Sequence, residues 1–405
     1  MRRSTSAIRS IVLLGVFTAG ILATITPEAL AAVFTVTKTA DTADGTCDAD
    51  CSLREAIGEA NASPGDDTVT VPPGTYTLAI SGADEEENAS GDLDITDALT
   101  LAGAGAGSTV IDGGDIDRVL DVDPADTNLT VSISGVTVRG GRAATSLRSG
   151  GGIRSEGHLT LTQVAIQDNV GLNDGGGLAI DSTDGSLTMT DSIISDNQAV
   201  GEGSSIGDGG GIYISGSNLT IALTNVTVSG NVTEAGGGGI RVFQAALTLN
   251  NVTVTGNTLS DGDPDRAGGI DGEFTIANSI LAGNTAGPGG GDPDCEDTGT
   301  SQGFNLIGDV TGCDFTPTTG DQIGTGAAPI DPGLGPLADN GGATATHALL
   351  PDSPAVDGGN PAPAGSGGAA CAATDQRGVP RNCDIGAYEI ALCKGVLVNR
   401  VGQAE

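Results

Sequence analysis

The sequence contains no tryptophan, three tyrosines and six phenylalanines, so aromatic residues make up 2% of its 405 residues. A core must therefore be built from aliphatic side chains, and it can only be thin. Basic residues are equally scarce. Sixteen Lys and Arg stand against 52 Asp and Glu, for a formal net charge of −36, and the only lysines are Lys38 and Lys394. Without a basic stripe to neutralise phosphates, the chain is not expected to bind nucleic acid or an anionic membrane surface. The same imbalance suits a salty habitat or a calcium requirement. His158 and His347 are the only histidines, too few for a zinc centre built with the cysteines. Beyond residue 32 no apolar run is long enough to span a bilayer.

The first residues read as an address. Arg2, Arg3 and Arg9 precede an apolar run over 11–25, and Ala29-Leu30-Ala31 supplies small residues for cleavage. Residues 1–31 are therefore expected to be a signal peptide directing export, with no transmembrane segment left after cleavage. Seven cysteines in an exported chain point to disulfides. They fall in local pairs, Cys47 with Cys51, Cys295 with Cys313 and Cys371 with Cys383, leaving Cys393 over in the tail. Zinc ligation is the competing use, but the Cys47/Cys51 pair has no second pair nearby.

The middle of the chain is repetitive. Glycine-rich turns followed by an aliphatic residue recur at Gly150-Gly151-Gly152-Ile153, Gly175-Gly176-Gly177-Leu178, Gly209-Gly210-Gly211-Ile212, Gly237-Gly238-Gly239-Ile240 and Gly268-Gly269-Ile270. Each unit closes on an asparagine: Asn169, Asn197, Asn231, Asn257 and Asn284. Between these marks the apolar period is two, which is strand and not helix. The strands read as Ile212-Tyr213-Ile214 and Ile240-Arg241-Val242, then Leu187-Thr188-Met189 and Leu247-Thr248-Leu249, then Val226-Thr227-Val228 and Val252-Thr253-Val254. Three short strands per repeat predict an all-β fold, a right-handed parallel β-helix in which each rung buries its face against its neighbours. Ile153, Ile212, Val228, Ile240, Leu249 and Val254 should point inward, and Thr188, Thr220 and Thr248 outward. The five asparagines should hydrogen-bond along the stack as a ladder. The sequons at Asn231 and Asn251 then belong to the ladder or to strand entry, in preference to glycosylation. The acidic run Asp84-Glu85-Glu86-Glu87 is expected to be a solvated loop, with Ca2+ binding as the rival reading.

An open solenoid needs caps. Ser52 and Glu55 stand three apart as a capping box before a short helix containing Ala56, Ile57 and Ala60. The run Cys51-Ser52-Leu53-Arg54-Glu55-Ala56-Ile57 resembles the CSLREA domain found at the front of exported bacterial β-helix proteins. At the far end, Asp331-Pro332-Gly333-Leu334, Ser353-Pro354-Ala355-Val356-Asp357, Arg377-Gly378 and Asp384-Ile385-Gly386-Ala387-Tyr388-Glu389 resemble a choice-of-anchor Q region, which closes such proteins ahead of a surface-attachment device. The resemblance implies a cap and first rungs over 32–92, repeats over 93–290, a disulfide-stapled C-terminal cap over 291–390 and a tail at 391–405. That tail carries no sorting motif.

The broader resemblance is to the pectate-lyase-like superfold, which hosts enzymes and non-enzymes alike. The alternation places Arg154, Ala179, Tyr213, Arg241 and Asp271 in one outward column, with the two arginines about 14 Å apart. A second column holds Thr160, Thr188, Thr220, Thr248 and Thr275. β-Propensity alone accounts for threonine there. Binding of an ordered lattice such as ice or polysaccharide is the rival, and a single column is narrow for it. Arg139, Arg142 and Arg148 form the one basic cluster, read as a solvated loop, and His347 is read as structural. The expectation is an extracellular or cell-surface β-helix serving structure, adhesion or ligand binding, with no catalytic site and no cofactor evident. Its partner would be an extracellular polysaccharide or another surface component. The rival reading is a lyase or glycoside hydrolase acting on an acidic polysaccharide.

Overall fold

The computed structural model describes residues 31–83, 85–143, 150–201, 207–261, 263, 265–288 and 292–390. The expected signal peptide (all but Ala31), Asp84, Arg148 and the tail with Cys393 lie outside these residues. The chain winds into a parallel β-helix. Its first face stacks Leu93–Ile95, Leu120–Val122, Ile153–Ser155, Leu178–Asp181, Ile212–Ser215, Ile240–Phe243 and Ile270–Asp271, all paired parallel and in register. The second face runs from Val33–Thr35 and Asp67–Val71 through Leu99–Gly103, Thr130–Ser134 and His158–Thr162 to Cys313–Thr316. The third runs from Gly74–Thr77 to Gln322–Ile323. A narrow fourth stack of five short strands, Val170–Leu172 to Thr285–Ala286, lines the turn back to the first face. Parallel rungs therefore continue well past the glycine-marked repeats.

Alternation sorts the side chains. Ile153, Ile212, Val228, Ile240, Leu249 and Val254 are all buried in one continuous aliphatic core, while Thr188, Thr220 and Thr248 are exposed. One register differs from the sequence reading. Thr188 stacks on Ala222 and Thr220 on Ser186 and Ala246, so the rung at 220 is displaced by two residues from the expected alignment. Leu219-Thr220-Ile221 and Ile221-Ala222-Leu223 both satisfy the period of two. A two-residue slip keeps every side chain on its face, so burial alone does not separate them.

The five asparagines stack inside the wall. Each side-chain amide donates to the next carbonyl oxygen, Asn169 to Asn197 at 3.0 Å, Asn197 to Asn231 at 3.0 Å, Asn231 to Asn257 at 2.9 Å and Asn257 to Asn284 at 2.9 Å. The ladder ends on the Asp294 carboxylate at 2.9 Å. The left-handed residue at this turn is the one before each asparagine, as at Asp196 (φ 56°) and Gly230 (φ 72°). That turn aims the asparagine inward. Asn231 and Asn251 are fully buried, with their amides engaged. In the glycine turns Gly209 has φ 66°, and a Cβ on Gly210 or Gly211 would sit 2.6 Å from a carbonyl oxygen of the next rung. The first glycine is needed for its φ, the other two for close stacking.

The N-terminal helix Leu53–Ala62 carries the capping box: Ser52 accepts from the Glu55 N–H and Glu55 from the Ser52 N–H. Burial opposes charge on Glu55, but hydrogen bonds from Ser52, Asp44 and Thr42 outweigh it and hold its carboxyl down at about 2. Arg54 is buried, paired with Asp41 and donating to the carbonyls of Gly91 and Asp92, so it ties the helix to the first rungs. The disulfides are Cys47–Cys51, Cys295–Cys313 and Cys371–Cys383. Cys295 takes the last inward place under Ile270 on the first face.

The stapled C-terminal segment lies along the third face. An antiparallel pair, Leu334–Ala338 with Thr346–Leu349, opens it. Outward-facing Ala165 and Ile193 pack against Leu337 and Ala345, while Ile280 and Leu306 pack against Leu349, Ala355 and Ile385. Thr227 donates to Gln376 at 2.7 Å, and the Ala387 N–H to Thr253 at 3.0 Å. His347 is structural in position: its Nδ1 donates to the Gly335 carbonyl at 2.8 Å and its Nε2 lies 2.8 Å from the Ser229 hydroxyl. The end motifs knit this segment, with Arg377 on Asp375 and 3.6 Å over the Tyr388 ring.

Candidate functional site

Two outward surfaces meet along the edge between the first and second faces. The first-face column runs Asp94, Asp121, Arg154, Ala179, Tyr213, Arg241, Asp271, Glu296. Five of these were legible from the glycine-marked repeats. Asp94, Asp121 and Glu296 were not, because their rungs lack the triple-glycine mark; the shared Leu-Asp-Ile and Leu-Asp-Val patterns were the available signal for the first two, and Glu296, in Cys295-Glu296-Asp297, had none. Both arginines are held by acids. Arg154 pairs with Asp121 at 3.1 Å and with Glu156, and Arg241 with Asp271. Arg266 adds a second contact to Asp271 at 3.5 Å. Burial, then repulsion from Asp208, pushes the Asp174 carboxyl up to about 6. Burial, reinforced by Asp174, also raises the Tyr213 phenol. A phenol that holds its proton more tightly is a poorer general base. Both arginines of the column are thus engaged by carboxylates.

Arg139 pairs with Asp112 at 2.9 Å and remains 41% exposed at its side chain, as a solvated ion pair would be. The acidic run is only partly solvated: Glu87 is exposed, but Glu85 and Glu86 are half-buried.

The second face is different in kind. Its central outward column reads Thr68, Thr100, Ser132, Thr160, Thr188, Ala222, Thr248, Thr275, Thr300, Thr316. Two residues along each strand stands another: Thr70, Ala102, Ser134, Thr162, Thr190, Thr224, Asn250, Ala277; at its foot the C-terminal segment covers it, Asn250 donating to the Ala370 carbonyl at 3.0 Å and Ala277 being buried. On the other side stand Thr130, His158, Ser186, Thr220 and Ala246. The expected single Thr column is thus the middle of an array three columns wide, and the narrowness that argued against lattice binding does not hold. Neighbours repeat at about 4.8 Å across the rungs and about 6.7 Å along the strand; the central column is about 43 Å long, and the part three columns wide, from Thr130 to Ala246, about 19 Å. The first two columns carry no Asp, Glu, Lys or Arg, although 17% of the chain is charged; the third runs on below Ala246 past Glu273 to Thr298 and Asp314, so carboxylates bound the array at its lower end.

At its lower end the array borders a cleft of about 800 Å³, lined by Arg241, Phe243, Thr248, Glu273, Thr275 and Thr300 among others. Phe243 is 48% exposed there, an apolar ring face beside a row of hydroxyls. Sequence reasoning missed it, because Phe243 falls just after the periodic triplet Ile240-Arg241-Val242. The Asn ladder, capping box and disulfides lie in the wall, cap or flank and serve structure.

No family model matches the chain, and no curated protein matches it. Among solved structures it is similar to pectate lyase Pel9A, at 15% identity over 90% of this chain and 97% of that one, with a TM-score of 0.48. It is also similar to the A-module of the Azotobacter vinelandii mannuronan C-5 epimerase AlgE6, at 16% identity over 72% and 94%, with a TM-score of 0.26. Likenesses this distant bear on neither reaction nor substrate. The β-helix rests on the strand pairings themselves.

Proposed function

We propose that this chain is an exported, extracellular or cell-surface β-helix that binds an extended, neutral polysaccharide along its second face and does not turn it over. The observation that carries the reading is the Thr/Ser array, whose two longer columns carry no formal charge, set on a chain of net charge −36. Acidic polymers are repelled by such a surface. A neutral glycan offers hydroxyls at a regular spacing and apolar C–H faces, matching threonine hydroxyls, threonine methyls and the Phe243 ring. The indented cleft beside the array favours a polymer chain over a flat ice lattice. Export is supported by three disulfides, bonds that persist in oxidising compartments. Among the described residues no helix is long and apolar enough to cross a membrane. The CSLREA-like front and the anchor-Q-like end belong to the same reading, the first as the cap of the solenoid and the second as a segment docked along its flank.

The test is retention of the purified protein on insoluble cellulose and chitin, alongside alginate and polygalacturonate in solution. The proposal expects retention on a neutral polymer, weakened by Phe243→Ala, with no release of shortened or unsaturated products. Unsaturated products from an acidic polymer, lost in Arg241→Ala, would establish the lyase reading instead. Thermal hysteresis without glycan retention would turn the array toward ice.

A further inference from the structure

We propose that Glu86, Asp94 and Asp121 hold a calcium ion where the N-terminal cap meets the first two strands of the first face. One carboxylate oxygen from each residue lies within 4.8 Å of the other two, inside the roughly 4.6–5.2 Å that two oxygens on opposite sides of a Ca2+ span. Asp94 and Asp121 are fully buried and stack in adjacent rungs, so the strand pairing fixes two ligands. Glu86 comes from the loop ahead of them.

The observation that points to a ligand is at Asp94. Its Oδ2 accepts the Asn88 N–H at 2.8 Å, but its Oδ1 is buried with no hydrogen-bond partner. A carboxylate oxygen removed from water without a donor is costly, and a cation is the ligand that satisfies it. The surroundings agree. Arg118 is shared by Asp92 at 2.7 Å and Asp121 at 3.1 Å, and Arg154 by Asp121 and Glu156. Negative charge at this point exceeds what Arg118 and Arg154 compensate.

The donors are all carboxylate oxygens, the hard set that selects Ca2+ or Mg2+ over zinc and copper. Three protein carboxylates on one ion, one of them from a loop, fit the larger and more adaptable calcium shell, with water completing it. Magnesium usually takes one or two carboxylates and keeps its waters. The ion would also fasten the cap: Asn88 donates to the Arg54 carbonyl at 2.8 Å, and Arg54 grips Gly91 and Asp92. Helix, loop and first rungs would then be clamped at one point. This site is independent of the glycan-binding face.

The experiment uses the whole protein stripped with EDTA, titrated with Ca2+ by calorimetry and followed by thermal melting. The expected result is one Ca2+ per chain and a melting temperature that rises with Ca2+. Asp94→Asn keeps the shape, and it should weaken binding at least tenfold without lowering the melting temperature in EDTA. Mg2+ should compete only at far higher concentration. No binding heat and no melting shift at millimolar Ca2+ would overturn the proposal, as would Asp94→Asn binding like the wild type. Should Asp94→Asn fail to fold, Glu86→Gln on the loop replaces it, with the same tenfold loss expected and unchanged affinity refuting the site. Equal competition by Mg2+ would overturn the assignment to calcium.

Discussion

Replacing Asn231 by alanine removes the middle of a buried polar ladder. Its amide nitrogen donates to the Asn257 side chain at 2.9 Å and to the Ile194 carbonyl at 3.0 Å. Its oxygen accepts from both the backbone and the side-chain nitrogen of Asn197, each at 3.0 Å. The Asn257 oxygen keeps a second donor, the Asn231 N–H, so it is not orphaned. The two Asn197 donors lose their acceptor at a position with no exposed area. At about 1–3 kcal/mol for each buried unsatisfied group, the loss is about 2–6 kcal/mol. That is a large fraction of an ordinary stability of about 5–15 kcal/mol. Urea unfolding followed by circular dichroism measures it, with exposed Asn218→Ala as a control expected within about 0.5 kcal/mol. Asn231→Ala and Asn257→Ala together should be non-additive, because they share a bond. A loss under about 0.5 kcal/mol, or strict additivity, would refute the claim that the ladder stabilises the wall.

Ile240→Ala, in the middle of the aliphatic stack, should cost about 2–5 kcal/mol by urea unfolding; a smaller loss would contradict its place in the core. Cys371→Ser with Cys383→Ser opens a 12-residue separation, worth about 3 kcal/mol in the chain-entropy account. It should speed proteolysis within residues 334–390 while the rungs stay resistant, and simultaneous cleavage of both would contradict a separately docked flank. Burial raises Asp294 and Glu296, to about 6 and about 7, with Asp292 adding to the second. Between the unfolded value near 4 and those values the folded chain binds more protons than the unfolded chain. Stability at these groups is therefore lost as pH rises from about 4 to 7. Buried Asp294 alone contributes about 3 kcal/mol at most to that slope. Asp294→Asn should flatten the melting profile over this range, and an unchanged slope would sink the assignment.

Much of the fold could be read directly because a solenoid repeats its reasons. The glycine triplets mark the turn where rungs approach closely, and each ladder asparagine closes a rung, so both recur at the repeat length. What could not be read follows from the same physics. The two-residue offset at Thr220 is invisible to a period of two. The full width of the hydroxyl face was hidden because Thr162, Thr190 and Thr224 follow the apolar triplets by which the strands were recognised. The flank over the third face did leave a trace: Ala165 and Ile193 are apolar on the side where neighbouring strands carry threonine, as expected of strands covered on both faces. The pairing of Asp94 with Asp121 and their approach to Glu86 depend on rungs with no glycine mark, where only the register of the coil brings them together.

The hydroxyl face as a binding surface is tested most directly by placing single charges along it. Thr100→Lys, Thr188→Lys and Thr275→Lys put a lysine at the top, middle and bottom of the central column, all at outward positions that leave the core intact. Gln198→Lys, exposed on the turn stack, is the control. Binding isotherms on microcrystalline cellulose and on chitin should show the wild type and the Gln198 variant retained alike on at least one of them. Each of the three face variants should bind at least tenfold more weakly. Retention of the Thr188 variant at wild-type affinity, or no retention of the wild type on either polymer, would contradict the account.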